Sequence, residues 1–189
     1  MPIIRTPEGH RFPWYVRVFF WNQKRRYGAV LEPARLWGRS PKVFAALALL
    51  FGAFDRRGSP IEPALRALIT VRVSQINGCA FCVDINSALV LKRGVDREKL
   101  ACLENFESSP LFCDRETAAL AYAEAVTYSD RQPEARHFDR LREHFSEDAI
   151  IELTGLIAFQ NMSSKFNTSL GVPPQGFCAL PAQSSDEGT

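Results

Sequence analysis

The residues of this chain best suited to chemistry are two cysteines, Cys79 and Cys82, which are separated by two positions. They follow the turn dipeptide Asn77-Gly78 and stand at the start of a helical pattern. Their spacing places both sulfurs on one face of a helix, and the positive end of a helix favours thiolate over thiol. The pair can therefore form and break a disulfide, and redox chemistry is the leading interpretation.

The spacing alone leaves two other interpretations open. Two cysteines at this separation also serve as half of a zinc site, or as a pair of small buried residues. A structural zinc site needs two more ligands at comparable spacing. The remaining cysteines and histidines are scattered along the chain, at Cys102, Cys113, Cys178, His10, His137 and His144. A glycine-rich phosphate loop is also missing, so we expect neither a metal nor a cofactor.

Length and composition predict one globular domain. The chain has 189 residues, of which 46% are hydrophobic and 23% charged, as in ordinary soluble domains. Its formal charge of +2 is too close to neutral to indicate a nucleic-acid partner. The five cysteines form no disulfide framework and fit a reducing cytoplasm. The longest apolar run, 43–54, is shorter than the roughly 20 residues that span a bilayer, so we expect a cytoplasmic protein without membrane contact.

The elements that position the cysteines are helices with explicit start and stop signals. Ser40-Pro41 begins an apolar helix, and we expect this helix to be buried because it is apolar nearly all round. Helical periodicity resumes after a break and is interrupted by Asn77-Gly78 before the cysteines. The last long helix begins after Ser146 and ends at Gly171. These patterns predict an all-α fold.

The two ends of the chain are less regular. The aromatic and β-branched run 14–21 is either a strand or a helical arm, and we expect it to pack on its own domain or on a neighbouring subunit. The small polar residues 183–189 are typical of a frayed end. We therefore divide the chain into an N-terminal arm (1–39), a central domain (40–175) and a C-terminal tail (176–189).

Residues 65–84, LRALITVRVSQINGCAFCVD, closely resemble the core of the carboxymuconolactone decarboxylase and alkyl hydroperoxidase D (AhpD) superfamily. The similarity covers roughly residues 40–175 and continues through four further segments, 92–95, 116–125, 152–161 and 170–173. This resemblance implies an AhpD-like helical fold and a peroxidase-type thiol site. It also implies a homo-oligomer, a trimer or a hexamer.

The resemblance includes a proton relay that this chain lacks. In the hydroperoxidase branch, a glutamate upstream of the pair and a histidine four residues after the second cysteine activate the thiol. The corresponding positions are Ala67 and Asn86, and neither side chain titrates. Asn86 shares the cysteine face and can hydrogen-bond a sulfur or a water molecule, but it cannot act as a general base.

Three other side chains are candidates for supporting the thiols. Arg72 lies seven residues before Cys79 and would share its face if the helix ran unbroken through Asn77-Gly78. A guanidinium there would favour the thiolate; the alternative is a surface arginine, or one paired with a carboxylate. Gln75 and Glu62 are near enough in sequence to be considered as well.

The resemblance implies a thiol-dependent hydroperoxide reductase with an antioxidant role. One thiolate attacks the peroxide and becomes a sulfenic acid. The other cysteine condenses with it, and an external dithiol, a thioredoxin-type or lipoyl-type reductant, restores the pair. Helix position favours Cys79 as the attacking residue, whereas the resemblance favours Cys82. We follow the resemblance.

Other function classes compete with this interpretation. The lactone decarboxylase branch does not depend on a cysteine pair, so Cys79 and Cys82 argue against it. A protein disulfide oxidoreductase would use the same pair without a peroxide pocket. A non-enzymatic redox-sensing oligomer would use the disulfide to lock two helices, and the missing glutamate and histidine keep this alternative open.

Overall fold

The computed structural model describes residues 2–178, and within them the chain is helical without a strand. The predicted all-α fold is confirmed; the frayed end expected at 183–189 lies outside the described residues. In chain order the α-helices are α1 (Trp14–Tyr27), α2 (Glu32–Gly38), α3 (Pro41–Phe54), α4 (Pro63–Ile76), α5 (Ala80–Lys92), α6 (Arg97–Ala101), α7 (Asp114–Thr127), α8 (Ala135–Arg142) and α9 (Glu147–Ser169). A 3-10 helix, Leu103–Ser108, connects α6 to α7.

Helix α4 lies at the centre of the main hydrophobic core and packs against α5, α7 and α9. Leu68, Ile69, Val71 and Val73 are fully buried, because apolar residues occupy more than one face of the helix. Pro63 stands at the first helical position, where its missing N–H costs no intrahelical bond. The buried helix thus fixes the position of the turn that follows it.

The turn between α4 and α5 breaks the helix before the cysteines. Gly78 has a φ of +60°, a conformation that glycine adopts without steric cost. The Asn77 Nδ2 atom donates to Asn161 Oδ1 on α9 at 2.8 Å, which ties the turn to that helix. Arg72 and Cys79 therefore do not lie on one continuous helix, which their predicted shared face required.

Helix α3 is much more exposed in the single chain than its sequence predicted. Phe44 is its one buried residue, whereas Val43, Leu49, Leu50 and Phe51 are exposed. The prediction that α3 is buried is wrong for the single chain, because α3 packs against α1 and α2 and the described residues leave its other side uncovered. The homo-oligomer stays a prediction.

The aromatic segment near the N-terminus forms helix α1 and not a strand. Val16 and Phe20 on this helix belong to a second hydrophobic cluster, which also contains Cys79, Cys82 and Val172. The N-terminal helices therefore pack over the cysteines of their own chain. Between residues 2 and 178, none of the helices has both the length and the apolar character required to cross a membrane.

Candidate functional site

Cys79 and Cys82 form a disulfide at the N-terminal end of α5. Cys79 is the N-cap residue, and its sulfur accepts a hydrogen bond from the backbone N–H of Cys82 at 3.2 Å. Their Cα atoms are 5.2 Å apart, within the usual range for disulfides. Each cysteine is only 2% exposed, so the pair is redox-capable and shielded from the outer surface.

A cavity of about 550 Å³ is lined by one of the two cysteines. Its walls come from α1, α2, α3, α5 and α9, together with Phe177 from the segment after α9. Cys82 lines this cavity, whereas Cys79 does not. A small molecule in the cavity would therefore contact Cys82 and not Cys79.

Asn167 on α9 directly contacts the sulfur of Cys82. Its Nδ2 atom donates a hydrogen bond to Cys82 Sγ at 3.2 Å. The side chain also lines the cavity and is 2% exposed, and its Oδ1 atom has no hydrogen-bond partner among residues 2–178. The amide thus offers the reduced sulfur a donor, which favours the thiolate, and offers a ligand an unused buried acceptor.

A network of neutral polar side chains surrounds Ser74 below the cysteines. Ser74 Oγ accepts from Gln160 Nε2 at 2.9 Å and from Asn86 Nδ2 at 3.4 Å, and Gln160 also donates to Ser164. The structure places Asn86 and Gln160 in the cavity wall with Cys82. Since none of these side chains titrates near neutral pH, the network orients groups but does not exchange protons with substrate.

Arg72 and Gln75 form a separate cluster with α7. Arg72 Nε donates to Glu124 Oε1 at 2.6 Å, and one of its terminal nitrogens donates to Gln75 Oε1 at 3.2 Å. Neither Arg72 nor Gln75 lines the cavity. The structure thus corresponds to the alternative in which the arginine pairs with a carboxylate.

Glu62 and Ala67 lie away from the cysteines. Glu62 precedes the first residue of α4 and accepts a hydrogen bond from Arg115 at 2.7 Å. The 14 residues of α4 separate it from the cysteine turn by about 20 Å. Ala67 is 1% exposed within the main core. An apolar side chain therefore stands at the position that the resemblance assigns to the relay glutamate.

Asp84 fastens the C-terminal segment beside the site. Its carboxylate accepts hydrogen bonds from the backbone N–H groups of Gln175, Gly176 and Cys178, at 2.8, 2.8 and 2.7 Å. Phe177, within that segment, lines the cavity and packs edge-on against Tyr27 of α1. One carboxylate on the cysteine helix therefore holds part of the cavity wall in place.

The zinc interpretation of the cysteine spacing receives no support from the residues around the pair. Across residues 2–178, His, Cys, Asp and Glu side chains form no group of three that could hold a metal ion.

Comparison with known sequences identifies the family. The sequence profile of the carboxymuconolactone decarboxylase family matches residues 41–125, a range that contains both cysteines. The uncharacterized protein YnjA of Escherichia coli (strain K12) is 38% identical over 179 residues, which span 95% of this chain and 98% of YnjA. This chain belongs to the carboxymuconolactone decarboxylase family. The superfamily predicted from residues 65–84 is confirmed.

Solved structures of similar proteins share the fold of this family member. An uncharacterized peroxidase-related protein with an alkylhydroperoxidase AhpD core, from Ralstonia eutropha JMP134, superimposes with a TM-score of 0.83 at 21% identity and covers 93% of this chain and 94% of its own. A cysteine-to-alanine variant of the debrominase Bmp8 in complex with 2,3,4-tribromopyrrole gives a TM-score of 0.74 at 25% identity, with 84% of each chain covered. The AhpD-like fold is thus confirmed.

Sequence reasoning missed the polar side chains that α9 contributes to the site. Gln160, Ser164 and Asn167 are all buried and recur at spacings of four and three residues, which place them on one face of the helix. Polar residues on a buried face are rare without a partner. Their recurrence at helical spacing was the signal available in the sequence.

Asn167→Leu tests the contact between α9 and the sulfur of Cys82. Leucine fills a similar volume but donates no hydrogen bond, so we expect Cys82 of the reduced protein to be alkylated by iodoacetamide about tenfold more slowly, equivalent to about 1.4 kcal/mol. Peptide mass spectrometry follows Cys82 in a Cys79→Ser background. Ser163→Ala, at another cavity-lining position, is the control. Equal rates in Asn167→Leu and its parent would contradict a role for the amide.

Proposed function

We propose that this protein reduces organic hydroperoxides with the Cys79–Cys82 pair. The observation that supports this most strongly is the position of Cys82, which lines a largely apolar cavity while its disulfide partner Cys79 does not. Burial of both cysteines favours a small substrate that enters the cavity over a folded protein partner.

The reaction takes two electrons from the pair. The reduced Cys82 loses its proton to solvent, and the thiolate attacks the terminal peroxide oxygen. The O–O bond breaks, the organic fragment leaves as an alcohol after taking a proton from water, and Cys82 becomes a sulfenic acid. The Cys79 thiol then attacks that sulfur, which releases water and forms the disulfide. An external dithiol reduces the disulfide and is itself oxidised.

Asn167 takes the position from which a side chain can assist this attack. Its Nδ2 donates to the attacking sulfur, and its unpartnered Oδ1 accepts a hydrogen bond from the hydroperoxide O–H. These two contacts hold the thiolate and the peroxide together. They do not replace the proton relay of the hydroperoxidase branch, so we expect a slow enzyme.

Reductive dehalogenation of an aromatic compound is the second candidate function. The likeness to the debrominase Bmp8 and the aromatic walls of the cavity support it. The same two electrons would replace a carbon–halogen bond by a carbon–hydrogen bond, with halide released, a proton taken from water and the cysteine pair oxidised to the disulfide.

A parallel assay separates these functions. The protein is supplied with dithiothreitol and, in separate reactions, with cumene hydroperoxide, 2,3,4-tribromopyrrole or insulin. We expect hydroperoxide consumption above the rate of dithiothreitol alone. Bromide release without hydroperoxide consumption would establish the second candidate. Reduction of insulin faster than by dithiothreitol alone, with neither of the other reactions, would establish a protein disulfide oxidoreductase. A disulfide that forms without any of these reactions would favour the redox-sensing oligomer.

A further inference from the structure

The cavity beside Cys82 is much larger than a peroxide group requires. Its volume of about 550 Å³ is typical of sites for whole small organic molecules, which occupy about 300–1,000 Å³. Helices α1, α2, α3, α5 and α9 each contribute at least one aromatic ring to its walls. Such walls fit an apolar or aromatic body, and the buried, unpartnered Asn167 Oδ1 marks the end at which a polar group is expected.

The cavity follows one stripe of helix α5. Cys82, Ile85, Asn86, Leu89 and Lys92 line it at spacings of three and four residues, so they share one face. The ten residues from Cys82 to Lys92 correspond to about 15 Å along the helix axis. The reactive sulfur and the lysine therefore stand at opposite ends of an elongated site.

The end of the cavity at Lys92 is cationic. Lys92 is exposed and makes no ion pair with any described residue. Asp55 also lines this cavity, but its carboxylate pairs with Arg93 and, at 3.6 Å, with Arg66. Burial, and after it the neighbouring Arg93, lower the pKa of Arg66, whereas Asp55 and Glu152 act in the opposite direction.

A second cation lies on the rim. Arg26 of α1 lines the cavity, and its guanidinium lies 5.4 Å from the centre of the Tyr27 ring. It forms no ion pair with a described carboxylate either. The rim thus presents two uncompensated cations next to apolar walls, an arrangement that complements an amphipathic anion.

We propose that the cavity binds an elongated organic anion, with its apolar body between the helices, its carboxylate at Lys92 and its reducible group at Cys82. The placement of a reducible group at Cys82 rests on the proposed function, whereas recognition of the anion at Lys92 does not. A fatty acyl chain and an aryl acid share this chemistry, and they differ in whether the body is flexible or planar.

Binding of unreactive probes to the full-length oxidised protein tests this proposal without turnover. Isothermal titration calorimetry compares dodecanoate with dodecan-1-ol, and biphenyl-4-carboxylate with biphenyl-4-methanol, below micelle-forming concentrations and at low ionic strength. We expect an acid to bind about fivefold more tightly than its alcohol, and added salt to reduce the difference because the cations are exposed. The acid that binds more tightly of the two shows whether the apolar body of the ligand is a flexible chain or an aromatic ring.

Two lysine variants show whether the carboxylate of the probe binds at Lys92. We expect Lys92→Gln to abolish the preference for the acid, while Lys24→Gln keeps it, since Lys24 is an exposed lysine of α1 outside the cavity. Equal binding of acids and alcohols, absence of binding by all four probes, or the same loss in both variants would overturn the proposal. Retained acid-selective binding in a protein that consumes no hydroperoxide would overturn the proposed reaction alone.

Discussion

Cys82→Ser is expected to lower the rate of hydroperoxide reduction by more than about 100-fold, because it removes the thiol that we propose as the nucleophile. Cys79→Ser is expected to act differently. Its Cys82 still attacks once, but no neighbouring thiol resolves the sulfenic acid, so the product persists on Cys82. Without an added reductant, this variant should reduce one equivalent of hydroperoxide and then stop.

Trapping with dimedone, followed by peptide mass spectrometry, distinguishes the two cysteines. The adduct is expected on Cys82 in Cys79→Ser and to be missing from Cys79 in Cys82→Ser. Cys102→Ser is the matched control, since its thiol does not line the cavity. An adduct on Cys79 in Cys82→Ser, with retained hydroperoxide consumption, would reverse the assignment of roles and favour the residue at the helix N-cap.

Asp84→Asn is expected to lower the free energy of unfolding by about 2 kcal/mol. The carboxylate accepts three backbone N–H groups of the C-terminal segment, and hydrogen bonds to a charged acceptor are about twice as strong as neutral ones. An amide of the same shape loses the charge and one acceptor oxygen. Urea unfolding gives the stability, and hydrogen exchange at residues 175–178 reports release of the segment.

Asp96→Asn is a suitable control for this substitution. Asp96 is an exposed carboxylate before α6 whose side chain caps no helical N–H, so its replacement should leave stability nearly unchanged. If Asp84→Asn unfolds at the same urea concentration as the parent protein, and its C-terminal segment exchanges no faster, then Asp84 does not fasten that part of the cavity wall.

The helices and their ends were largely predictable from the sequence, because each depends on residues close together in the chain. Asn77-Gly78 indicated the break before the cysteines, and a positive φ at Gly78 accounts for it. Ser146 indicated the start of α9, where its Oγ accepts the Ala149 N–H at 3.3 Å. Periodicity and capping are local properties, and the family resemblance added the arrangement of the helices.

The surroundings of the sulfurs were not predictable in the same way, because they come from distant parts of the chain. Asn167 reaches Cys82 across 85 positions, and Gln160 reaches Ser74 across 86. Asp84 binds a segment more than 90 positions away. No local pattern specifies which buried polar groups will meet, so the sequence indicated the reactive pair but not its hydrogen-bond donors.

Helix α3 shows the limit of hydrophobicity as a guide to burial. An apolar helix is expected to be covered on all sides, yet Leu49 is 77% exposed in the single chain. Phe51 contributes to the cavity wall while remaining 46% exposed. Composition indicates that such a surface prefers to be covered, but it does not specify what covers it.

A single-turnover experiment on the wild-type protein shows whether the cysteine pair reduces a hydroperoxide. The fully reduced protein is mixed with one equivalent of cumene hydroperoxide in the absence of a reductant, and alcohol, remaining hydroperoxide and the state of each cysteine are measured over time. We expect one alcohol and one Cys79–Cys82 disulfide per hydroperoxide consumed, at a rate far above that of Cys82→Ser. Hydroperoxide that remains unconsumed while both thiols stay reduced would contradict the proposed function.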